Sequence, residues 1–185
     1  MKGPYNQARY GSYLGDFNLI VSTYRFREKD AQDEILEILE IFGDPQPRSQ
    51  DIEIRGLLVA QTSLDPLDVI DKLRELVALE SWKLRYVLRV LPVQVVIPSE
   101  LDSITKATRD IAPKIGNETF RVTVEKRHSS LSSMEIVKAI AGQVSNKVDL
   151  ENPGWVILVQ ILGRLTGLSV LRPTQIFSSV VEKRK

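Results

Sequence analysis

At 185 residues, with 43% hydrophobic and 26% charged side chains, the chain is long enough to bury a core as one ordinary domain or two small ones. It has no cysteine and a single histidine, which excludes disulfides, thiolate zinc sites, a cysteine nucleophile and any two-histidine metal site. The net charge of +1 hides an asymmetry: residues 1–97 carry 12 basic and 15 acidic side chains and residues 98–185 carry 13 and 9, so an anionic partner is expected to meet the C-terminal half. No run of 18 apolar residues occurs, and the opening Met1-Lys2-Gly3-Pro4-Tyr5-Asn6 lacks the apolar block of a secretory signal. A soluble, cytoplasmic protein with no membrane partner is predicted.

Residues 1–16, with Gly3, Pro4, Gly11 and Gly15 and little apolar periodicity, read as a flexible tail in which Tyr10 and Tyr13 near Arg9 offer weak base stacking. Phe17 to Thr23 reads as a buried strand, and Asp30 to Phe42 as a helix with Ile35, Leu36, Leu39 and Phe42 inward, stopped by Gly43-Asp44-Pro45. Ile52 to Ala60 is a second strand. Asp65-Pro66 supplies an N-cap and a first-turn proline for a helix to about Leu79, with Val69, Ile70, Leu73, Leu76 and Val77 as its apolar stripe. A third strand, Arg85 to Ile97, is interrupted at Pro92, which predicts an edge or a bulge because proline cannot donate to a ladder.

Pro98-Ser99 marks a boundary, with Ser99 capping a helix from Glu100 to about Ile111 that carries Lys106 and Arg109 outward. Thr119 to Glu125 alternates, placing Phe120, Val122 and Val124 on the core side and Thr119, Arg121, Thr123 and Glu125 outward. After Lys126-Arg127-His128-Ser129, the run Ser132-Ser133-Met134-Glu135 fits a capping box, and Val137, Ile140, Ala141, Val144 and Val148 recur at helical spacing in a helix ending near Asn146. Trp155 to Leu162, apolar on both faces, reads as a central strand turned by Gly163-Arg164-Leu165-Thr166-Gly167 into Leu168 to Arg172. Pro173 to Val181 reads as a last short helix.

The basic turn beside a helix N-terminus is suited to phosphate capture, because unpaired backbone N–H groups and the helix dipole add to the two full cations at one point. The alternative is a solvated turn whose Ser132 caps the helix. Arg85 and Arg89, four apart in a strand, point to the same side and either border a cleft between the halves or pair with the acidic first half. The carboxylates Glu34, Glu37 and Glu40, and Asp65, Asp68 and Asp71, recur at helical spacing and read as solvated faces and caps. Glycines never occur as Gly-x-Gly, no P-loop lysine is present, and His128-Ser129 are adjacent rather than set in a nucleophile elbow. No catalytic residue, cofactor site or metal site is therefore predicted.

Phe120-Arg-Val-Thr-Val-Glu-Lys-Arg-His, Ser133-Met-Glu and Val148-Asp-Leu-Glu-Asn-Pro153 together resemble a THUMP domain. Val21-Ser-Thr, Arg27-Glu-Lys, the Ile35-Leu-Glu-Ile-Leu helix and Arg85-Tyr-Val-Leu-Arg-Val-Leu-Pro92 are similar to the Tan-type tRNA acetylation adaptors, a resemblance spanning roughly residues 17–180. It implies a mixed α/β, α+β fold, with a ferredoxin-like domain over residues 17–97 packed against a THUMP domain over residues 98–185. It also implies a non-catalytic role: the chain holds tRNA, at the acceptor stem and 3′ CCA end, for a separate RNA cytidine acetyltransferase that makes N4-acetylcytidine, and DNA is not expected as a partner. By position it implies RNA contacts at Lys126, Arg127, His128 and Arg89, while Lys106, Arg109, Arg121 and Arg164 follow from the face assignments. Many THUMP proteins carry a methyltransferase, thiolase-like or deaminase domain downstream, and none follows in these 185 residues, as expected of an adaptor. The alternatives are an RNA-binding subunit for another tRNA modification enzyme, a methyltransferase or a thiolation enzyme, and a protein-interaction scaffold.

Overall fold

The computed structural model describes residues 15–185; apart from Gly15 and Asp16, the expected tail with Arg9, Tyr10 and Tyr13 lies outside the described residues. The first unit is β1 (Leu19–Ser22), α1 (Glu28–Ile41), β2 (Arg48–Asp51), β3 (Leu57–Gln61), α2 (Pro66–Glu80) and β4 (Arg89–Pro92). Its strands lie in the order β2-β3-β1-β4, every pairing antiparallel, which is the βαββαβ arrangement of a ferredoxin-like fold. The helical stripes explain the packing: Ala31, Ile35, Ile38 and Leu39 of α1, with Val69, Ile70 and Leu73 of α2, bury against Leu19, Val21, Leu58, Ala60 and Val90 on one face of the sheet. The Asp65 carboxylate accepts the Leu67 N–H at 2.7 Å, and Pro66 opens α2 where its missing N–H costs nothing.

The second unit is β5 (Val95–Pro98), α3 (Leu101–Ile111), β6 (Phe120–Arg127), α4 (Ser133–Ala141), β7 (Trp155–Leu162) and β8 (Leu165–Leu171). Its sheet runs β5-β8-β7-β6, with β6 parallel to β7 and the other pairs antiparallel. Helices α3 and α4 cover one face, setting Ile104, Ala107, Ile136 and Ile140 against Phe120, Ile157, Val159, Ile161 and Val170. The free faces of the two sheets pack on each other, Ile20, Val59, Leu91 and Val93 meeting Val156, Leu158, Leu162 and Leu171, so the layers run α/β/β/α. Between the sheets Gly167 leaves room for the facing side chains: a Cβ there would lie 3.2 Å from both methyls of Val93 and 3.3 Å from Ile20 Cδ1. The architecture is that of a ferredoxin-like unit packed on a second mixed α/β unit.

Several elements differ from their sequence expectation. The strand expected over 52–60 begins only at Leu57, after a turn through Gly56 (φ +76°), where a Cβ would meet the Thr23 carbonyl at 3.0 Å. Ahead of it, the polar edge strand β2 carries no apolar signal. The strand expected over 85–97 is two strands in two sheets. Pro92 is the last residue of β4, opposite Leu19 on one side and past the end of β9 on the other, so it stands where no ladder donor is needed; Val93 N–H then bonds Asn18 and Gln94 N–H bonds Leu168 as the chain crosses between sheets.

Ser99 does not cap α3; its hydroxyl meets that of Thr166 at 2.8 Å, and Glu100 takes the cap position without a side-chain bond. Helix α4 stops at Ala141; Val144 still packs in the core beyond it, and Val148 leaves the helical stripe to form a parallel bridge with Phe120. The face of β6 holding Arg121, Thr123, Glu125 and Arg127 is half-buried on the inter-sheet side instead of facing open solvent. Residues 173–181 are not one helix: a single 3-10 turn (Pro173–Gln175) leads to β9 (Phe177–Ser178), which extends the first sheet beside β4, and to α5 (Ser179–Glu182). Full burial of Phe177 opposite Val90 outweighs the local helical pattern.

Candidate nucleic-acid interface

Strand directions decide which cations meet. Strands β5, β6 and β7 run the same way, so Pro98, Arg127 and Leu162 end at one rim of the second sheet. From that rim start α3, the loop into α4 and the β7–β8 turn. Gly163 N–H donates to the Arg127 carbonyl at 2.9 Å, and Ser99 N–H to the Arg164 carbonyl at 2.8 Å, which ties the three connections together. The rim thus presents Lys126, Arg127, His128 and Arg164 beside the N-termini of two helices, where first-turn N–H groups and the dipoles favour an anion. Asp102 and Glu135 sit in those first turns and offset part of that field.

Lys126 and Arg127 are consecutive in β6 and so lie on opposite faces, which differs from the single focus expected of the turn. Lys126 Nζ donates to the Leu131 carbonyl at 2.6 Å, on the helix side. Arg127 Nη2 lies 3.5 Å from the Glu125 carboxylate, on the inter-sheet side. His128 reverses the chain with φ +53°, a left-handed conformation uncommon outside glycine, and its side chain is exposed. Ser132 caps α4, its hydroxyl accepting the Glu135 N–H at 3.4 Å.

Of the remaining candidates, Arg89 adjoins the rim through Glu125 and the others lie elsewhere. Arg89 reaches from β4 to Glu125 at 3.0 Å, joining the two sheets. Burial pushes the Glu125 carboxyl up, but the hydrogen bond and charge of Arg89, with the charge of Arg127, outweigh it and hold the group below its usual range. Arg85 lies outside β4 and donates to the Trp82 carbonyl at 3.3 Å, so it shares no cleft with Arg89. Arg121 is at the opposite end of β6, about 20 Å from Arg127 at strand rise, and donates to the Leu150 carbonyl at 3.2 Å. Lys106 and Arg109 are exposed on α3; Arg109 binds Gln143 Oε1 at 2.8 and 3.0 Å near the helix C-termini, away from the basic rim.

That far rim holds a cluster the sequence did not signal. Arg172 clamps Glu118 at 2.6 and 2.7 Å and lies 3.9 Å from the centre of the Trp155 ring, whose Nε1 also donates to Glu118 at 3.2 Å. The Arg172 hydrogen bond chiefly holds Glu118 below the usual carboxylate range. Glu118 and Arg172 stand 54 residues apart, so no local pattern links them. The Asp149-Leu150-Glu151-Asn152 element is a turn in which Asp149 accepts the N–H groups of Glu151 (3.1 Å) and Asn152 (2.9 Å) and donates its own to the Phe120 carbonyl. It closes the start of β6. Among the described residues no group of three or more His, Asp or Glu is placed to hold a metal ion, and no helix is long and apolar enough to cross a membrane.

The family model for the THUMP domain matches residues 98–171. The chain is 29% identical over 117 residues to "THUMP domain-containing protein 1" of Bos taurus, covering 57% of this chain and 32% of that protein; the Homo sapiens protein gives 28% over the same length. The chain thus spans about a third of the length of the curated relatives it matches. Two solved structures share the fold. PH1313 from Pyrococcus horikoshii Ot3 has a TM-score of 0.62 at 19% identity, covering 84% of this chain and 55% of that one. A 4-thiouridine synthetase, solved as an RNA complex with bound ATP, has a TM-score of 0.54 at 16% identity, covering 85% and 42%. The chain contains a THUMP domain, and its basic rim belongs to that domain.

Proposed function

We propose that this protein is a non-catalytic tRNA-binding adaptor of the Tan type, presenting tRNA to a separate RNA cytidine acetyltransferase for N4-acetylcytidine formation. The observation that carries the RNA-binding part is the convergence of Lys126, Arg127, His128 and Arg164 with two helix N-termini at one rim of the THUMP sheet. Such a rim fits phosphates and single-stranded ends better than base edges, which the deep groove of A-form RNA hides. In this reading residues 17–97 orient the complex and residues 98–185 bind RNA at the acceptor stem and 3′ CCA end, with β9 locking the two units together. Holding the target cytidine beside a bound enzyme supplies effective concentration and needs no bond-breaking group on this chain.

The test is binding of the purified protein to bulk tRNA, and to the same tRNA lacking its 3′ CCA, at two salt concentrations. Salt-sensitive binding that weakens on CCA removal is expected, and absence of tRNA binding overturns the reading. A second reading, an RNA-binding subunit for another tRNA modification enzyme, is favoured by the likeness to the RNA-bound 4-thiouridine synthetase. N4-acetylcytidine content after reconstitution with the acetyltransferase separates the two, since only the first reading requires a gain.

A further inference from the structure

The connection from β1 to α1 ends in a tight turn over Tyr24-Arg25-Phe26-Arg27, closed by the Arg27 N–H on the Tyr24 carbonyl at 3.1 Å. Phe26 is the third residue of that turn and has φ +66°, where turn chemistry favours glycine or asparagine. It is 77% exposed, and Tyr24 is 54% exposed. Neither burial nor backbone preference accounts for a phenyl ring at this position. The turn is held in place, because Arg27 pairs with Asp30 at 2.8 Å and donates to the Tyr86 hydroxyl at 2.6 Å, so both exposed rings are presented in advance.

The neighbouring β2–β3 connection adds cations. Thr23 N–H donates to the Gly56 carbonyl at 2.9 Å, which sets the two connections side by side, and the Arg55 guanidinium lies 5.6 Å from the centre of the Phe26 ring. Arg25 and Arg55 are exposed, and neither makes an ion pair among the described residues. Glu28, which accepts the Gly56 N–H at 2.6 Å, and Asp51 and Glu53 balance Arg25, Arg27 and Arg55, so the patch has little net charge. It therefore offers stacking more than attraction of phosphate. An aromatic face backed by a guanidinium is what an unpaired base packs on, and every base has such a face to offer.

This patch adjoins the basic rim. Ser22 of β1 stands opposite Arg89 of β4, and Arg89 reaches Glu125, which lies 3.5 Å from Arg127. Tyr24 is two residues beyond Ser22, at most about 7 Å of chain. A strand leaving the rim on the Arg89 side meets the two rings next. We propose that Tyr24 and Phe26 form a stacking platform for an unpaired base of the RNA whose phosphates lie on the rim, so that the ferredoxin-like unit itself binds RNA. The proposal rests on the RNA-binding reading of that rim.

Its test titrates tRNA with the full chain and with Phe26→Gly, Phe26→Leu and Phe26→Trp across a salt series, each variant checked for cooperative urea unfolding. Glycine suits the backbone here, so Phe26→Gly removes the ring and keeps the fold. Phe26→Gly is expected to weaken binding about tenfold and Phe26→Leu at least threefold, whereas Phe26→Trp stays within twofold of wild type. The salt slope is expected to stay unchanged in all three, since a lost stack frees no phosphate contact. Wild-type affinity in Phe26→Gly overturns the platform and leaves the rim standing, the patch then belonging to a protein partner. Wild-type affinity in Phe26→Leu overturns stacking, because any apolar side chain would suffice. Failure of the wild type to bind tRNA overturns the RNA-binding reading, and the platform with it.

Discussion

Glu125 of β6 holds the guanidinium of Arg89 of β4 at 3.0 Å, so one carboxylate joins the ferredoxin-like sheet to the THUMP sheet and lies 3.5 Å from Arg127 at the basic rim. Two arginines share one acid there. The pair is half-buried, where loss of either partner leaves the other incompletely solvated. A double-mutant cycle with Arg89→Met and Glu125→Gln is expected to give a coupling of about 1 kcal/mol in urea unfolding. Glu125→Gln alone is expected to tighten tRNA binding about threefold, because it frees two cations beside the rim. Weaker tRNA binding by that variant would show that Glu125 orients Arg127 for RNA and does not merely neutralise it.

Charge reversal separates the rim from the outer helical face. Lys126→Glu with Arg127→Glu is expected to weaken tRNA binding more than tenfold and to lower the slope of log affinity against log salt by roughly two units or slightly less. Arg109→Glu is expected to change affinity less than about twofold, since it stands in the last turn of α3, beside Gln143 and away from that rim. Filter binding across a salt series reads both. Equal losses would place the RNA across the helical layer.

His128 tests conformation against contact. Its φ of +53° favours glycine, so His128→Gly is expected to leave stability unchanged or raise it by about 0.5 kcal/mol while removing the imidazole. His128→Val is expected to destabilise by about 1–2 kcal/mol, because a β-branched side chain fits the left-handed region poorly. Any loss of tRNA affinity in the stable glycine variant then measures the imidazole alone, and a competition titration against wild type reads it.

Phe177 ties the end of the chain to its beginning. It is fully buried in the first sheet opposite Val90, although about 80 residues of THUMP sequence separate the two strands. Phe177→Ala is expected to cost about 3–5 kcal/mol, with one cooperative urea transition for both units because their sheets share a core. Two resolved transitions would show that the units fold independently.

What could be read from the sequence follows from the range of the interactions involved. Trp155 to Leu162 was legible because a strand buried on both faces is apolar at every position, and Asp65-Pro66 and Ser132 because a cap acts within one helical turn. The run from Arg85 to Ile97 misled because its β-favouring residues continue through the point where the chain changes sheets, and only the pairing of Leu19 with Pro92 and of Val95 with Leu168 divides it. At the site, the basic turn could be read directly and Arg164 and Arg89 could be named as candidate cations, but which residues meet could not be read. Arg164 joins it through a β7–β8 turn fixed by parallel pairing, and Arg89 and Glu125 meet across 36 residues. Opposite facing of Lys126 and Arg127 was implicit in strand alternation once β6 was known to extend to Arg127.

Acid sensitivity is expected to centre on Asp44, buried beyond the end of α1. Burial pushes its carboxyl up, but the Thr62 hydroxyl at 2.6 Å, the Ser63 and Gln46 N–H groups and the Ser63 hydroxyl outweigh that and hold it below the usual range. A carboxyl depressed in the folded state contributes stability above its unfolded value, and that contribution is lost as pH falls through the folded value. Asp44→Asn is therefore expected to lower stability at neutral pH by about 2 kcal/mol, since a charged acceptor with several donors becomes a neutral amide with one acceptor oxygen. The gap between wild type and variant is expected to narrow as pH drops below about 4, where the wild-type carboxyl also takes up its proton. Urea midpoints measured across the acid range read this convergence, and a gap constant with pH would assign the cost of Asp44→Asn to packing.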